Sequence, residues 1–251
     1  MLPNHSPLTI AEQFGTLATL HPGRIDLGVG RAPGSDQTTM HALRRDVTSS
    51  DNFPQDVLEL QGYLTGNSRV SGVEAVPGKG TDVPLYILGS SLFGAQLAAH
   101  LGLPYANASH FSPDSLEEAM TIYRDTFRPS AQLSEPYAIA AVNAIVADTS
   151  AEAHSMMESA MRRRVVQMVG RGRSFTPEEV DMIMDSPAGR QIAHMMKYTA
   201  VGTKDEVSTY LDAFAENAKA DELIVASHIE NRRDWLHSYD LLADTMAPVP
   251  A

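Results

Sequence analysis

The sequence predicts an α/β fold in which parallel strands alternate with helices. Residues 84–113, PLYILGSSLFGAQLAAHLGLPYANASHFSP, have the pattern of a compact β-α-β unit, with an apolar run at each end and a helical segment between them. Short loops and continuously apolar strands are typical of a parallel sheet that helices cover on both faces. About five strands alternate with helices along the 251 residues, whereas a closed β/α barrel needs eight.

The amino-terminal part of the chain is predicted to begin with a helix and to continue into a short strand. Ser6 is suited to cap a helix over Pro7–Leu20, whose apolar residues share one face. Alternating apolar residues in IDLGV then predict a strand that runs from Ile25 to about Gly30. Before the next strand, helices are predicted over Thr38–Arg45 and Gln55–Leu64, and a loop is predicted over Ser71–Pro84.

The remaining elements continue this alternation to the end of the chain. Strands are predicted over Leu85–Leu88, Tyr105–Ala108, Pro136–Ala147 and Glu222–Ser227. Helices are predicted over Leu92–Leu101, Ser115–Phe127, Thr203–Lys219 and Arg232–Asp244. Capping-box pairs mark three helix starts, at Thr149 with Glu152, Thr176 with Glu179 and Thr203 with Glu206. We therefore expect a single domain over residues 1–251, with a mainly helical insertion around 151–202.

Arg31 is the first candidate binding residue, because it follows the first strand directly in the turn GVGRAPG. Open α/β sheets and β/α barrels place their ligands at the carboxyl ends of their strands. Gly34 gives this turn backbone freedom and Pro33 gives it stiffness, which predicts a loop that holds Arg31 out as an anion anchor. The third glycine of a dinucleotide fingerprint is missing, and no helix opens directly behind Gly30. A rim carboxylate that pairs with Arg31 is the alternative interpretation.

Gly89, Ser90 and Ser91 form the second candidate site, where the strand Leu85–Leu88 turns into the following helix. The N–H groups at the start of that helix, its dipole and the Ser91 hydroxyl together predict an anion site. The alternative is that both serines act only as helix caps.

The other polar clusters carry weaker predictions. The nine histidines show no H-x-H or H-E-x-x-H spacing, so no metal site is predicted. His110 follows a predicted strand, but a loop histidine with no visible partner is more often structural. Arg162, Arg163 and Arg164, with Arg171 and Arg173 nearby, form the one basic cluster. A solvated helix face is the preferred interpretation of this cluster, and contact with an anionic cofactor or substrate is the alternative.

Composition excludes several classes of function. A formal net charge of −12 argues against binding to nucleic acid and to anionic membrane surfaces. The sequence has no apolar run long enough to span a membrane, and MLPNHSP lacks the features of a signal peptide, so a cytoplasmic location is expected. The absence of cysteine means that any redox chemistry must come from a cofactor.

Two segments carry a resemblance to a known family. With HPGRIDLGVGRAPGSDQ and LGSS....AQLAAHLGLPYANASHF, the chain resembles the luciferase-like flavin monooxygenases, close to the bacterial luciferase-like oxidoreductases. The similarity extends from NHSPLTIAEQF at Asn4 to ADELIVAS at Ser227.

The resemblance implies a fold, a cofactor and a reaction. The fold is a (β/α)8 barrel of the TIM-barrel type, and the cofactor is reduced FMN, with the deazaflavin F420 as the second choice. Arg31 corresponds to a phosphate-contacting arginine, and Ser91, with the backbone of Gly89 and Ser90, to the phosphate cradle. The implied reaction oxygenates a small organic substrate with O2. A separate flavin reductase would supply the reduced FMN, and a homodimer is the implied assembly.

The resemblance also implies that the barrel is incomplete at its amino end. Family members begin with three strands that have no counterpart here, and Met1 aligns inside the end of the third. Those strands carry the catalytic positions, so no catalytic residue is assigned in this chain. A noncatalytic flavin-binding protein or an inactive truncated fragment is therefore the alternative to an active monooxygenase.

Overall fold

A computed structural model of the chain describes residues 1–32, 36–45, 47–170 and 172–245. The contacts within it divide the chain into two compact units. The first contains Met1–Asn107 and Thr121–Ala138, and the second contains Ala108–Met120 and the chain from Ile139 onward. No helix in the described part of the chain has the length and apolar character needed to cross a membrane.

The described residues form an alternating α/β arrangement. The strands are β1 Leu27–Gly30, β2 Leu85–Gly89, β3 Tyr105–Asn107, β4 Ala138–Val146, β5 Thr199–Gly202 and β6 Glu222–Ala226. The helices are α1 Pro7–Leu20, α2 Gln37–Ala42, α3 Phe53–Thr65, α4 Leu92–Leu101, α5 Leu116–Thr126, α6 Ser150–Gly170, α7 Pro177–Met184, α8 Pro187–Met195, α9 Lys204–Ala218 and α10 Arg232–Ala243. Two short 3-10 helices lie at Leu2–Asn4 and Val47–Ser50.

The first unit contains a parallel sheet of β1, β2 and β3. Strand β1 pairs with β2 so that Gly30 lies opposite Leu88, and β2 pairs with β3 so that Gly89 lies opposite Asn107. Helices α1 and α3 of the same unit pack against each other. The buried face of α3 repeats at helical spacing through Phe53, Val57, Leu60 and Leu64.

In the second unit, β4 pairs in parallel with both β5 and β6. All nine residues of β4 are buried, as expected for a strand that is covered on both faces. Asn143 lies opposite Thr199 of β5 and opposite Ala226 of β6. Helix α10 is joined to this strand by a buried hydrogen bond in which the Val146 N–H donates to the Ser238 hydroxyl at 2.9 Å.

The structure confirms most predicted elements and corrects their ends. Helices α1 and α4 have the predicted bounds, and Ser6 caps α1 by accepting from the Thr9 N–H. Strand β1 begins at Leu27 rather than Ile25, because its pairing with β2 starts at Leu27 opposite Leu85 and residues 24–26 have no regular structure. Helix α2 ends at Ala42, before the predicted Arg45.

Strand β5 was not predicted. It lies inside the stretch 151–202 that the sequence assigns mainly to helices, which do fill most of that stretch as α6, α7 and α8. Only two of its four residues, Ala200 and Gly202, are buried. So short a strand gives almost no periodic signal, and its pairing with β4 is what makes it a strand.

Candidate functional site

The carboxyl ends of β1, β2 and β3 lie at one edge of the sheet in the first unit, because the three strands are parallel. Arg31 follows β1, and Ser90 and Ser91 follow β2. The register therefore brings the two segments that the sequence selects to the same edge. Of the predicted turn around Arg31, Pro33 and Gly34 lie outside the described residues.

Arg31 stacks on the first turn of the helix that follows the second strand. Its guanidinium carbon lies 4.3 Å from the centroid of the Phe93 ring, and Phe93 is the second residue of α4. A cation over an aromatic face at this distance is an attractive contact. The Arg31 side chain is exposed, and none of the ion pairs among the described residues involves it. The structure therefore offers no support, within those residues, for the interpretation in which a rim carboxylate neutralises Arg31.

Ser91 is the N-cap of α4, but its hydroxyl does not cap the helix. The residue is extended, with φ −141° and ψ 165°, and its side chain makes no capping hydrogen bond. The first turn of α4 contains no acidic residue. The N–H groups of a helical first turn have no partners within the helix, and the helix dipole makes this end positive. The exposed hydroxyl of Ser91 thus lies beside backbone donors that have no partner within the helix.

A buried polar pair lies behind this turn. Tyr105 and Asn107 are almost fully buried in β3, and the Asn107 amide nitrogen donates to the Tyr105 hydroxyl at 2.9 Å. The Tyr105 hydroxyl in turn donates to the Ser91 carbonyl oxygen in a long contact of 3.5 Å. Burial raises the pKa of Tyr105 to about 12, and the hydrogen bond from Asn107 acts in the opposite direction. Tyr105 therefore stays protonated at neutral pH and can act as a donor.

Neither this pair nor Phe93 is among the site residues that the sequence predicts. A signal for the pair was present, because a tyrosine and an asparagine stand in the otherwise apolar strand within PYANASHF. Phe93 gave no such signal, since a phenylalanine in the first turn of an apolar helix is normally a core residue. Its role depends on Arg31, which comes to it only through the pairing of β1 with β2.

The donor set at this edge fits an anion such as a phosphate monoester. It combines a guanidinium group, a serine hydroxyl and the backbone N–H groups of a helix start. Gly89 ends β2 beside this set, and a Cβ there would lie 3.5 Å from the Gly94 Cα, an ordinary van der Waals contact. Sterics alone therefore do not require glycine at position 89.

A separate polar group is found in the second unit. Asn143 is buried in β4, and its amide nitrogen donates to the His110 carbonyl oxygen at 2.6 Å. The His110 ring packs edge-on against Phe111, with 4.7 Å between the centroids. Burial lowers the pKa of His110, and the nearby His228 and Arg164 lower it further. His110 is therefore neutral at neutral pH.

The three consecutive arginines of α6 have different surroundings. Arg162 pairs with Asp181 and, more distantly, with Glu158, on a solvated face as the sequence predicts. Arg163 pairs with Glu230 at 2.8 Å and donates to the His228 carbonyl oxygen. Arg164 differs, because its Nε is buried and has no hydrogen-bond partner in the described structure. Arg171 lies outside the described residues, and Arg173 pairs with Glu179 at 2.8 Å on the exposed surface.

The fold and this edge of donors define an α/β protein of the class that binds its ligand at the carboxyl ends of parallel strands. Residues 1–222 match the family model for luciferase-like monooxygenases. The chain belongs to that family, and the oxidoreductase class that the resemblance implied is confirmed at this level.

Bacterial relatives agree with this assignment. The chain is 45% identical over 247 residues to a luciferase-like monooxygenase of Escherichia coli K12, and the match covers 97% of this chain and 74% of the relative. It is also 45% identical over 248 residues to the uncharacterized protein YvbT of Bacillus subtilis strain 168, with the same shares of the two chains covered.

Solved structures place the fold among the luciferase-like barrels of the TIM type. The crystal structure of apo-MsnO8 matches with a TM-score of 0.82 and 35% identity, over 98% of this chain and 75% of that one. Two structures at 15% identity share the fold alone, each over 97% of this chain. One is the oxygenating constituent of 3,6-diketocamphane monooxygenase from Pseudomonas putida in complex with FMN, with a TM-score of 0.65 and 74% of its chain covered. The other is an F420-dependent secondary alcohol dehydrogenase, with a TM-score of 0.67 and 76% covered.

Proposed function

We propose that the chain is a flavin-dependent monooxygenase that binds reduced FMN through Arg31, Gly89, Ser90 and Ser91. The observation that carries the proposal is the Ser91 hydroxyl, which lies at the start of α4 and makes no capping hydrogen bond. The first turn of this helix contains no acidic residue. Arg31 supports it, because its guanidinium group stacks on Phe93 in the same helical turn. Membership of the luciferase-like family supports the reaction class.

FMN is the proposed cofactor, and F420 is the alternative. Structures with this fold include an FMN complex and an F420-dependent enzyme, so the fold is compatible with both. The proposal favours FMN because a terminal phosphate monoester matches a donor set of guanidinium, hydroxyl and helix N–H groups.

The residues of this chain would bind and orient the cofactor rather than perform the redox step. Bound reduced FMN would supply the electrons with which O2 oxygenates a small organic substrate. Arg31 and the start of α4 would hold the phosphate end. The protonated Tyr105 would hold the turn in place through its hydrogen bond to the Ser91 carbonyl oxygen. A separate flavin reductase is the proposed source of reduced FMN, and a homodimer is the proposed assembly.

The binding test compares FMN with riboflavin, which lacks the phosphate. We expect the wild-type chain to bind FMN more tightly than riboflavin in a titration that follows quenching of flavin fluorescence. Arg31→Ala should weaken FMN binding about tenfold or more, the range for loss of one charge-assisted hydrogen bond, and should leave riboflavin binding almost unchanged. Arg24→Ala is the matched control, because Arg24 is exposed just before the amino end of β1. Equal losses for FMN and riboflavin in Arg31→Ala would contradict the phosphate assignment.

Turnover separates an active monooxygenase from the alternatives. The purified chain is mixed with FMN, a flavin reductase, NADH and a candidate small organic substrate, and the hydrogen peroxide formed per NADH is compared with that of the reductase alone, because free reduced FMN passes its electrons to O2 as peroxide. A substrate-dependent fall in peroxide, with formation of an oxygenated product, supports the monooxygenase. Tight FMN binding without such a fall would support a noncatalytic flavin-binding protein, and no binding would support an inactive fragment. The same titration with F420 in place of FMN tests the choice of cofactor.

A further inference from the structure

A small polar pocket lies in the second unit, between α6 and the segment that follows β6. Its volume is about 280 Å³. Arg163 and Arg164 line it from the helix, and Ser227, His228 and Glu230 line it from the segment after the strand. That segment leaves the carboxyl end of a parallel strand, which is where α/β folds place their ligands.

Two residues that line the pocket have buried polar atoms without hydrogen-bond partners. The Nε of Arg164 and the hydroxyl of Ser227 are shielded from solvent and have no hydrogen-bond partner among the described residues. The Nδ1 of His110 is in the same condition. An unsatisfied buried donor costs about 1–3 kcal/mol, so such groups are rare unless they have a role. The two that belong to residues lining the pocket, Arg164 and Ser227, point to a bound ligand.

The charge of the pocket is set by Arg164. Glu230 already neutralises Arg163 at 2.8 Å, whereas the ion pairs of the described residues leave Arg164 without a carboxylate. Arg164 lies close enough to His110 and His228 to lower the pKa of each, with burial as the larger cause in both. Both rings are therefore neutral, and the pocket keeps one uncompensated positive charge in a chain whose net charge is −12.

We propose that this pocket binds a small organic monocarboxylate, with Arg164 as its charged partner and Ser227 and His228 as neutral hydrogen-bond donors. One uncompensated guanidinium matches one negative charge, and its planar fork matches a carboxylate. A phosphate dianion would leave its second charge without a partner, and the small volume suits a short acid.

The test uses acetate as the probe and the full chain without flavin. The side-chain ¹⁵N signals of His110 and His228 are followed by NMR during a titration with sodium acetate, with sodium chloride keeping the ionic strength constant. We expect saturable shifts in the wild type. Arg164→Met, which keeps most of the apolar stem, should weaken acetate binding about tenfold or more. Arg162→Met is the matched control on the same helix and should bind acetate as the wild type does.

Two further measurements test the roles of His228 and Arg164. His228→Phe keeps an aromatic ring but removes the ring N–H, so it should also weaken acetate binding. This variant provides a test if Arg164→Met does not fold. If Arg164 serves to bind the ligand, the melting temperature of Arg164→Met measured without acetate should not be lower than that of the wild type. If Arg164 is purely structural, this melting temperature should fall. The absence of saturable shifts, an equal effect of Arg162→Met, or tighter binding of inorganic phosphate than of acetate would overturn the proposal. Because no flavin is present, failure here is distinct from failure of the FMN assignment.

Discussion

Tyr105 shows how burial changes the chemistry of a single side chain. Its ring packs against Tyr123, with 5.6 Å between the centroids, and its hydroxyl is enclosed with the Asn107 amide. The usual pKa of tyrosine is 10.0, and burial raises the pKa of Tyr105 to about 12. The folded state therefore favours the protonated form, so this residue links stability to alkaline pH.

The pH dependence of unfolding tests this link. The contribution of Tyr105 is fully present below pH 10 and is lost as the pH rises from about 10 to about 12, since the folded protein takes up the phenolate charge less readily than the unfolded chain. Each pKa unit corresponds to about 1.4 kcal/mol, so we expect the free energy of unfolding to fall by about 2–3 kcal/mol over this range. Urea unfolding at a series of pH values measures it. Tyr105→Phe should flatten the slope, and an unchanged slope would contradict the assignment.

At the scale of the element, helix α1 is held closely to the loop that precedes β2. Gly15 is buried in the middle of this helix, where glycine is normally unfavourable. A Cβ at this position would lie 2.3 Å from the Gly78 Cα and 2.8 Å from the Pro77 carbonyl oxygen, and both are backbone atoms that cannot move aside easily. The close approach of helix and loop therefore requires glycine.

This contact reverses the usual effect of a glycine-to-alanine change in a helix. Propensity alone predicts that Gly15→Ala stabilises α1 by about 1 kcal/mol. The clash leads us to expect the opposite, a loss of about 1–3 kcal/mol, as for other overpacked sites. Thr16→Ala, at the adjacent exposed position, is the control and should change stability by less than about 0.5 kcal/mol. Thermal unfolding of the three proteins measures the difference, and a stabilised Gly15→Ala would show that the loop can yield.

Elements with strong local signals were predictable from the sequence, and those without them were not. Helix α4 combines a glycine stop at Gly102, which has a positive φ of 66°, with a serine before its first residue, so both ends could be predicted. Helix α1 was equally clear from Ser6 and Pro7. Strand β5 had no comparable signal, because its existence depends on hydrogen bonds to β4 rather than on its own residues.

For the whole molecule, the order in which the two units occur along the chain affects whether they unfold together. The first unit is interrupted by residues 108–120 of the second, so the chain passes between the units several times. No single cut would separate the two units. This interleaving supports the proposal that residues 1–251 form one domain.

The single tryptophan allows the one-domain proposal to be tested. Trp235 lies on α10 in the second unit, so its fluorescence reports on that unit, whereas far-UV circular dichroism reports on both. We expect the two signals to follow one coincident transition in guanidinium, as two-state unfolding requires. A tryptophan transition displaced from the circular dichroism transition would indicate that the units unfold independently.

The sequence by itself determined the alternation of strands and helices, the start of α4 at Ser91 and the position of Arg31 at the end of β1, because periodicity and caps are encoded within a few consecutive residues. Only the tertiary structure placed Arg31 on Phe93, left the Ser91 hydroxyl unused as a cap and separated Arg164 from the solvated Arg162. These contacts join residues far apart in the chain. They depend on strand register and helix packing, which no short stretch of sequence encodes.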